Sequence, residues 1–234
     1  MNLLIQLIRK TVRSRGYDMI HYAPWSNLFA FCNIDMILDV GANNGQSYEA
    51  FRWAGFEGPI CSFEPNPEVF KRLESKKGHQ WQRLPYALSS KSGHARFHLT
   101  DYDVAGSLHV PLGKLKVTGE ISVQMYRLDE LWEKQGFSAR HAFLKIDTEG
   151  HDLEVVKGAT GVLDRIQLIM VETSPTPRFQ GEPPLPTVMN FMSDLGFHVC
   201  RVEKNSLSPA AGMDMALDIV FARKELIDKA PPNY

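Results

Sequence analysis

Four apolar runs in this sequence carry a carboxylate at or just past their ends. Asp39 sits in Met36–Val40, Glu64 follows Pro59–Phe63, Asp147 follows Ala142–Ile146, and Glu172 follows Leu168–Val171. Read as strands of an open α/β sheet, these runs bring all four acids to the edge where such sheets bind ligands. Like charges repel in a low dielectric, so something must balance them: a cationic ligand, a metal, a lysine or hydroxyl donors. Lys145 is one answer. Strand alternation points it the same way as Asp147, and a lysine inside a parallel strand needs a partner.

The first run leads into Gly41-Ala-Asn-Asn-Gly45, a nucleotide-loop pattern between a strand and a helix. Glycine permits the torsions and close approach such a loop needs. Glu64 lies about 20 residues beyond Gly45, where a carboxylate can accept from both hydroxyls of a ribose. A dinucleotide fingerprint requires G-x-G-x-x-G. Here Asn43 holds the second glycine position and the last glycine is missing. The G-K-[ST] of a Walker loop is missing too. S-adenosylmethionine has no phosphates to cradle, and the loop suits it better than NAD.

The elements that position these residues alternate. Gln46–Ala54 reads as a helix. Asn66-Pro67-Glu68 opens another with a capping side chain, proline at the first position and an acid at the positive end. Trp81–Leu84 is a third strand, and residues 93–126 read as an antiparallel insertion or hairpin. Within that insertion His94 and His98 read as solvated surface. Leu128–Lys134 and Leu153–Lys157 are short helices. Residues 173–187 are a proline-rich loop, followed by a helix over Thr187–Leu195. Phe197–Val202 and Asp218–Ala222 form a closing strand pair, with a loop around Asn205–Asp214. Alternating strands and helices predict a parallel sheet covered on both faces, with an antiparallel hairpin at one edge.

The domain reading is an N-terminal helical extension over 1–35 and one α/β domain over 36–234. Residues 1–16 have Leu3, Leu4, Leu7 and Ile8 on one face, followed by Arg9, Lys10, Arg13 and Arg15. Such a helix packs on the domain, packs on a partner subunit as in a homodimer, or rests on an anionic membrane surface. Residues 17–34 are aromatic and carry no clear pattern.

The chain of 234 residues is 44% hydrophobic and 23% charged, as in an ordinary globular protein. A net charge of −1 gives no nucleic-acid footprint. No apolar run reaches the length of a bilayer span. Cys32, Cys61 and Cys200 form neither a zinc pattern nor a disulfide framework, which fits a reducing compartment. The expected location is cytoplasmic, with the inner membrane face as the alternative the basic helix raises.

Five motifs occur in order: Asp39-Val-Gly-Ala-Asn-Asn-Gly45, Phe63-Glu-Pro-Asn-Pro67, Tyr86-Ala-Leu-Ser89, Arg127-Leu-Asp129 and Lys145-Ile-Asp-Thr-Glu-Gly150. The set resembles the FkbM-type methyltransferases, within the S-adenosylmethionine-dependent class I fold. The resemblance runs from about residue 36 to 224. It implies a Rossmann-like seven-stranded sheet of order 3-2-1-4-5-7-6, with the last strand antiparallel. It implies O-methylation of a hydroxyl on a sugar in a glycan or glycolipid, or on a natural product. On this resemblance Asp39, Gly41, Asn43 and Gly45 belong to the first cofactor motif. Glu64 binds the ribose, while Pro65, Asn66, Tyr86 and Ala87 lie near the adenine. Asp147 and Glu149 face the methyl group.

Methyl transfer to a hydroxyl needs the acceptor oxygen held in line and a base nearby. Asp147 ranks first as that base, followed by Glu149, His151 and Glu172; Lys145 would orient Asp147 or bind the acceptor hydroxyl. A divalent metal on Asp147, Glu149, His151 and Glu172 is chemically feasible, but no signature fixes such a set and none is assigned. Arg178 and Phe179 are candidates for a cover over a sugar acceptor. Asp101–Pro111, with Asp101, Asp103, Ser107 and His109, is the other candidate wall. Two rival functions remain: an NAD-dependent oxidoreductase, and a non-catalytic cofactor-binding or interaction protein of the same fold.

Overall fold

The computed structural model describes residues 24–102, 105–208 and 213–230. The basic helix expected over residues 1–16 lies outside them, as does Asp103. Seven strands form the main sheet: β1 (Met36–Val40), β2 (Ile60–Phe63), β3 (Trp81–Leu84), β7 (Ala142–Ile146), β8 (Ile166–Thr173), β9 (Phe197–Ser208) and β10 (Met213–Arg223). Their spatial order is β3-β2-β1-β7-β8-β10-β9. β10 runs antiparallel to both β8 and β9, and the other pairings are parallel. This is the Rossmann-like order 3-2-1-4-5-7-6 that the sequence resemblance implied.

The central strands read as continuous apolar runs because helices cover both faces. One core joins Leu38, Phe63, Leu144, Ile146 and Val171 to α4 (Leu128–Lys134), α5 (Asp152–Gly158) and α6 (Leu185–Asp194). The other holds Ile37, Phe51, Ile60, Phe143 and Leu168. It also takes in α1 (Trp25–Phe31), from the stretch without a sequence pattern. Trp25 stacks on Phe143 at 5.5 Å, and Phe29 meets Phe51 edge-on at 5.9 Å. An aromatic cluster of this kind has no clean period. A seven-residue helix shows its buried face only once its neighbours are known.

Two helices and a second sheet border the site. α2 (Gln46–Trp53) starts from Gly45 at φ 84°, and α3 (Pro67–Ser75) from Asn66, whose side chain accepts from the Glu68 N–H. A second, three-stranded sheet has the order β4-β6-β5, built from β4 (Ala87–Leu88), β5 (Gly93–Thr100) and β6 (Val117–Tyr126). β5 and β6 pair antiparallel, as expected for the insertion.

Three expectations change in extent. β9 runs to Ser208 and β10 begins at Met213, because the polar stretches pair with each other (Met213 with Ser208, Asp214 with Leu207). α6 begins at Leu185, after Pro184. β8 continues through Glu172, which therefore lies within the strand. His98 is also not solvated. The chain returns through Ser107 and pairs with it, and Glu120 on β6 approaches its ring at 3.2 Å, so His98 is buried.

Candidate active site

The turn after β1 is tight because backbone meets backbone. A Cβ on Gly41 would lie 1.8 Å from the Asp147 carbonyl oxygen, and Gly41 sits at φ 76°. Only glycine fits that approach. Asn43 is left-handed too, at φ 46°. That turn aims its N–H at Glu64 Oε2, 2.9 Å away, while the Asn66 N–H reaches Oε1 at 2.8 Å. Burial pushes the Glu64 carboxyl up to about 7 against these two donors. Each oxygen keeps a second lone pair for a hydroxyl.

Beneath the turn, Asp39 and Lys145 are directly opposite in the β1–β7 ladder. Lys145 Nζ lies 3.1 Å from Asp39 Oδ1, 3.5 Å from Asp147 Oδ2 and 3.2 Å from the Gly41 carbonyl oxygen. Burial alone would lower the lysine; Asp39 and then Asp147 outweigh it and hold the ammonium above its usual range. Ser62 donates to Asp39 Oδ2 at 3.0 Å and accepts from the Trp81 indole at 2.9 Å.

A cavity of about 420 Å³ opens over this frame. Gly41, Asn43, Glu64, Pro65, Asn66, Tyr86 and Ala87 line one part of it, and Lys145, Asp147, Glu149, His151, Glu172 and Arg178 line another. Phe97, Tyr102, Gly106 and Leu108 contribute from the second sheet and the chain that follows it. Asp39 and Gly45 are not in the lining. Asp39 is fully buried under the turn, and Gly45 packs against Trp81 and Leu73.

Three acids converge in the same cavity. Asp147, Glu149 and Glu172 each place a carboxylate oxygen within 4.8 Å of the others. Arg178 makes an ion pair with Glu172 and approaches Glu149 at 3.5 Å. Burial, then Asp147, raises both glutamic acids well above the usual carboxylate range. Asp147 is the most accessible of the three, with 35% of its side chain exposed. The three acids are the donor set that could hold a divalent cation. Two of them already face the guanidinium.

Arg178 is fixed from behind. Its N–H and that of Phe179 both donate to Glu182 Oε2, at 2.5 and 3.0 Å. Leu112 donates to the Arg178 carbonyl and Gln180 to that of Val110. The expected pairing of Arg178 and Phe179 as a sugar cover is therefore corrected. Arg178 reaches the cavity, whereas Phe179 is buried against Gly150 and Pro111 as a wedge.

His151 faces the cavity rather than open solvent, but both ring nitrogens are engaged. Nε2 lies 2.9 Å from Ser89 Oγ, and Nδ1 lies 2.9 Å from His109 Nε2. Burial, then His109, pushes its pKa down to about 4. This leaves His151 poorly placed to take a proton from a ligand. Ser107 donates to the Glu149 carbonyl at 2.7 Å, so the expected wall closes on the acid turn. Asp101 instead caps backbone, accepting from the Lys116 N–H.

Asp152 and Glu182 were not singled out by sequence, and Ser89 entered only as the end of the Tyr86–Ser89 motif. Buried Asp152 accepts from the Thr148 hydroxyl at 3.0 Å and from the Glu172 N–H at 3.2 Å, tying the ends of β7 and β8 together. Burial lifts it to about 7. Its place one residue beyond His151 was the available signal. Glu182, in the proline-rich loop, offered none.

The sequence matches the methyltransferase FkbM domain over residues 39–199. It is 32% identical over 141 residues to the hexuronic acid methyltransferase AglP of Haloferax volcanii, covering 59% of this chain and 55% of AglP. The chain thus aligns with little more than half of that relative. It is 24% identical over 172 residues to the 2-O-methyltransferase NoeI of Sinorhizobium fredii, covering 67% of this chain and 70% of NoeI. Magnesium protoporphyrin IX methyltransferase from Synechocystis superposes with a TM-score of 0.47 at 12% identity, over 95% of this chain and 85% of that one. With the glycine turn, the acid after β2 and the acid turn after β7 all meeting in one cavity, the chain belongs to the FkbM family of S-adenosylmethionine-dependent methyltransferases.

Proposed function

We propose that the protein is an O-methyltransferase that transfers a methyl group to a sugar hydroxyl, with Asp147 as the general base. The observation that carries this reading is the position of Asp147. It is the exposed member of the acid cluster, on the same cavity as Glu64 and beside the buried Lys145. The name of AglP, a hexuronic acid methyltransferase, supports a saccharide acceptor, and that of NoeI, a 2-O-methyltransferase, supports transfer to oxygen. Among the described residues, no helix is long and apolar enough to cross a membrane.

The cavity fits the cofactor in its own chemistry. Glu64 is preset by two backbone donors and retains lone pairs for the ribose hydroxyls. Asn43, Pro65 and Asn66 adjoin it, and Tyr86 and Ala87 offer a surface for the adenine. Asp39 and Gly45 act indirectly, by fixing the turn. S-adenosylmethionine supplies an electrophilic methyl group bonded to a sulfonium. Asp147 would take the proton of the acceptor hydroxyl as the acceptor oxygen bonds the methyl carbon and the methyl–sulfur bond breaks. Lys145 orients Asp147 by a contact that Asp39 prevents from wandering. Glu149 and Glu172, held by Arg178, shape the acceptor side. His151 positions the wall through Ser89 and His109.

Calorimetric titration with S-adenosylmethionine and with NAD, followed by labelled methyl transfer to glycans, tests the reading. Binding of S-adenosylmethionine and transfer to a sugar oxygen are expected. Preference for NAD, or tight binding with no transfer to any hydroxyl, would overturn it in favour of an oxidoreductase or a non-catalytic binder respectively.

A further inference from the structure

We infer that Tyr102 is the acceptor platform of this cavity: its ring stacks on the C–H face of the pyranose whose hydroxyl is methylated. The inference rests on the sugar O-methyltransferase reading and names a residue that sets its specificity.

The cavity must hold two ligands, and its aromatic rings divide accordingly. Tyr86, Phe97 and Tyr102 line it. Phe97 is buried, and a Cβ on Gly106 would meet its ring at 2.6 Å, so this ring is committed to the wall. Tyr86 is half-buried, with Tyr126 edge-on at 4.8 Å, and adjoins Ala87 in the surface assigned to the adenine. Tyr102 is the open ring of the three, with 62% of the residue exposed.

The backbone that carries Tyr102 is fixed. The Thr100 hydroxyl donates to the Tyr102 carbonyl at 2.7 Å and accepts from the Tyr102 N–H at 3.3 Å. The Ala105 N–H donates to the same carbonyl at 2.9 Å. Below this turn His98 and Ser107 exchange backbone hydrogen bonds of 2.8 and 3.2 Å. Ser107 Oγ then donates to the Glu149 carbonyl at 2.7 Å. The turn bearing Tyr102 is thereby docked on the turn that carries Asp147, the proposed base.

A pyranose exposes C–H groups between its hydroxyls, and these meet the negative face of an aromatic ring favourably. A tyrosine has two side-chain torsions to lose, and here the backbone is already held, so covering the ring costs little ordering. Stacking reads the shape of the sugar ring and not its charge, so neutral sugars and uronates both qualify. Phe179, the platform expected from sequence, is buried; Tyr102 takes that part.

The test is steady-state transfer of labelled methyl from S-adenosylmethionine by the full chain, using the pyranoside that the wild type methylates best. Tyr102→Ala is expected to raise the acceptor KM about tenfold, a typical loss for a stacked tyrosine, with S-adenosylmethionine affinity within twofold by calorimetry. Tyr102→Leu, which keeps bulk without a π face, is expected to behave like the alanine variant and stands in for it if that one fails to fold. Tyr102→Phe and Tyr102→Trp are expected to restore the acceptor KM to within threefold of wild type. An unchanged KM in the alanine and leucine variants overturns the inference. So does a loss of cofactor affinity that matches the rise in KM, which would place the ring in the cofactor site. A phenylalanine variant as weak as alanine would assign the effect to the hydroxyl and overturn stacking. Wild-type protein that binds the cofactor but methylates no sugar overturns the sugar reading and this inference together.

Discussion

Lys145 and Asp39 occupy the same rung of the β1–β7 ladder, and their side chains meet at 3.1 Å with almost no solvent access to either. The pair sits under the glycine turn, so it supports the cavity without lining it on the Asp39 side. Breaking a buried pair by removing one member leaves an uncompensated charge, at a cost of about 3–5 kcal/mol. Lys145→Met is expected to lower unfolding stability by about that much in denaturant titration. The double variant with Asp39→Asn should recover part of the loss. Unchanged stability of the single variant would show that water reaches Asp39.

Glu64 anchors the other side of the turn. Glu64→Gln places an amide N–H against one of two backbone N–H donors, Asn43 or Asn66, that now meet carboxylate oxygens. Donor then faces donor at a buried position. Calorimetry is expected to show at least about a tenfold loss of S-adenosylmethionine affinity. Affinity within twofold of wild type would remove Glu64 from the cofactor site.

Stability should depend on pH in a direction set by the buried acids. Glu64 and Asp152 have folded values of about 7, and Glu149 and Glu172 are raised too. Each binds its proton more tightly folded than unfolded. The stability this confers is full below the ordinary carboxylate range and is lost as pH rises through the folded values. His151, near 4 when folded, has the opposite sign: stability falls as pH drops from about 6.5 toward 4. Four raised acids outweigh one lowered histidine, so together these groups make the ligand-free protein less stable as pH rises from about 5 to 8.5. Thermal unfolding is expected about 5 °C lower at pH 8.5 than at pH 6, with a smaller gap once the cationic cofactor is bound. A rise in Tm toward pH 8.5 would contradict the assignment of these acids as uncompensated.

Much of this was legible because strand ends are legible. Apolar runs bounded by glycine and proline marked β1, β2, β7 and β8, and the fold rule for open sheets then brought Asp39, Glu64, Asp147 and Glu172 to one edge. The strand order was implied only by the family resemblance that the ordered motifs carry. Long-range contacts were not legible. The His151–His109 pair joins residues 42 apart, and the buried state of His98 depends on a return of chain that no period announces. Phe179 shows the limit most clearly. Next to a cavity arginine it reads as an exposed sugar platform, yet a backbone bridge to Pro111 turns it inward.

Arg178 is the cation that the acid cluster already holds. Arg178→Ala is expected to lower kcat at least about tenfold while leaving cofactor affinity within twofold, because the guanidinium contacts Glu149 and Glu172 rather than the glycine turn. Treatment of the wild type with EDTA is expected to leave methyl transfer within twofold. Loss of activity on chelation, restored by Mg²⁺ or Mn²⁺, would assign Asp147, Glu149 and Glu172 to a metal ion instead.

The central claim is that Asp147 takes the proton of the acceptor hydroxyl. Asp147→Asn keeps the side chain's shape and removes its basicity, so paired measurements of cofactor affinity and methyl transfer test it directly. Affinity for S-adenosylmethionine within about threefold of wild type is expected, with transfer reduced by about 10²–10⁴-fold, the usual contribution of a positioned base. Transfer at the wild-type rate with the cofactor still bound would contradict the claim and move the base to Glu149 or Glu172.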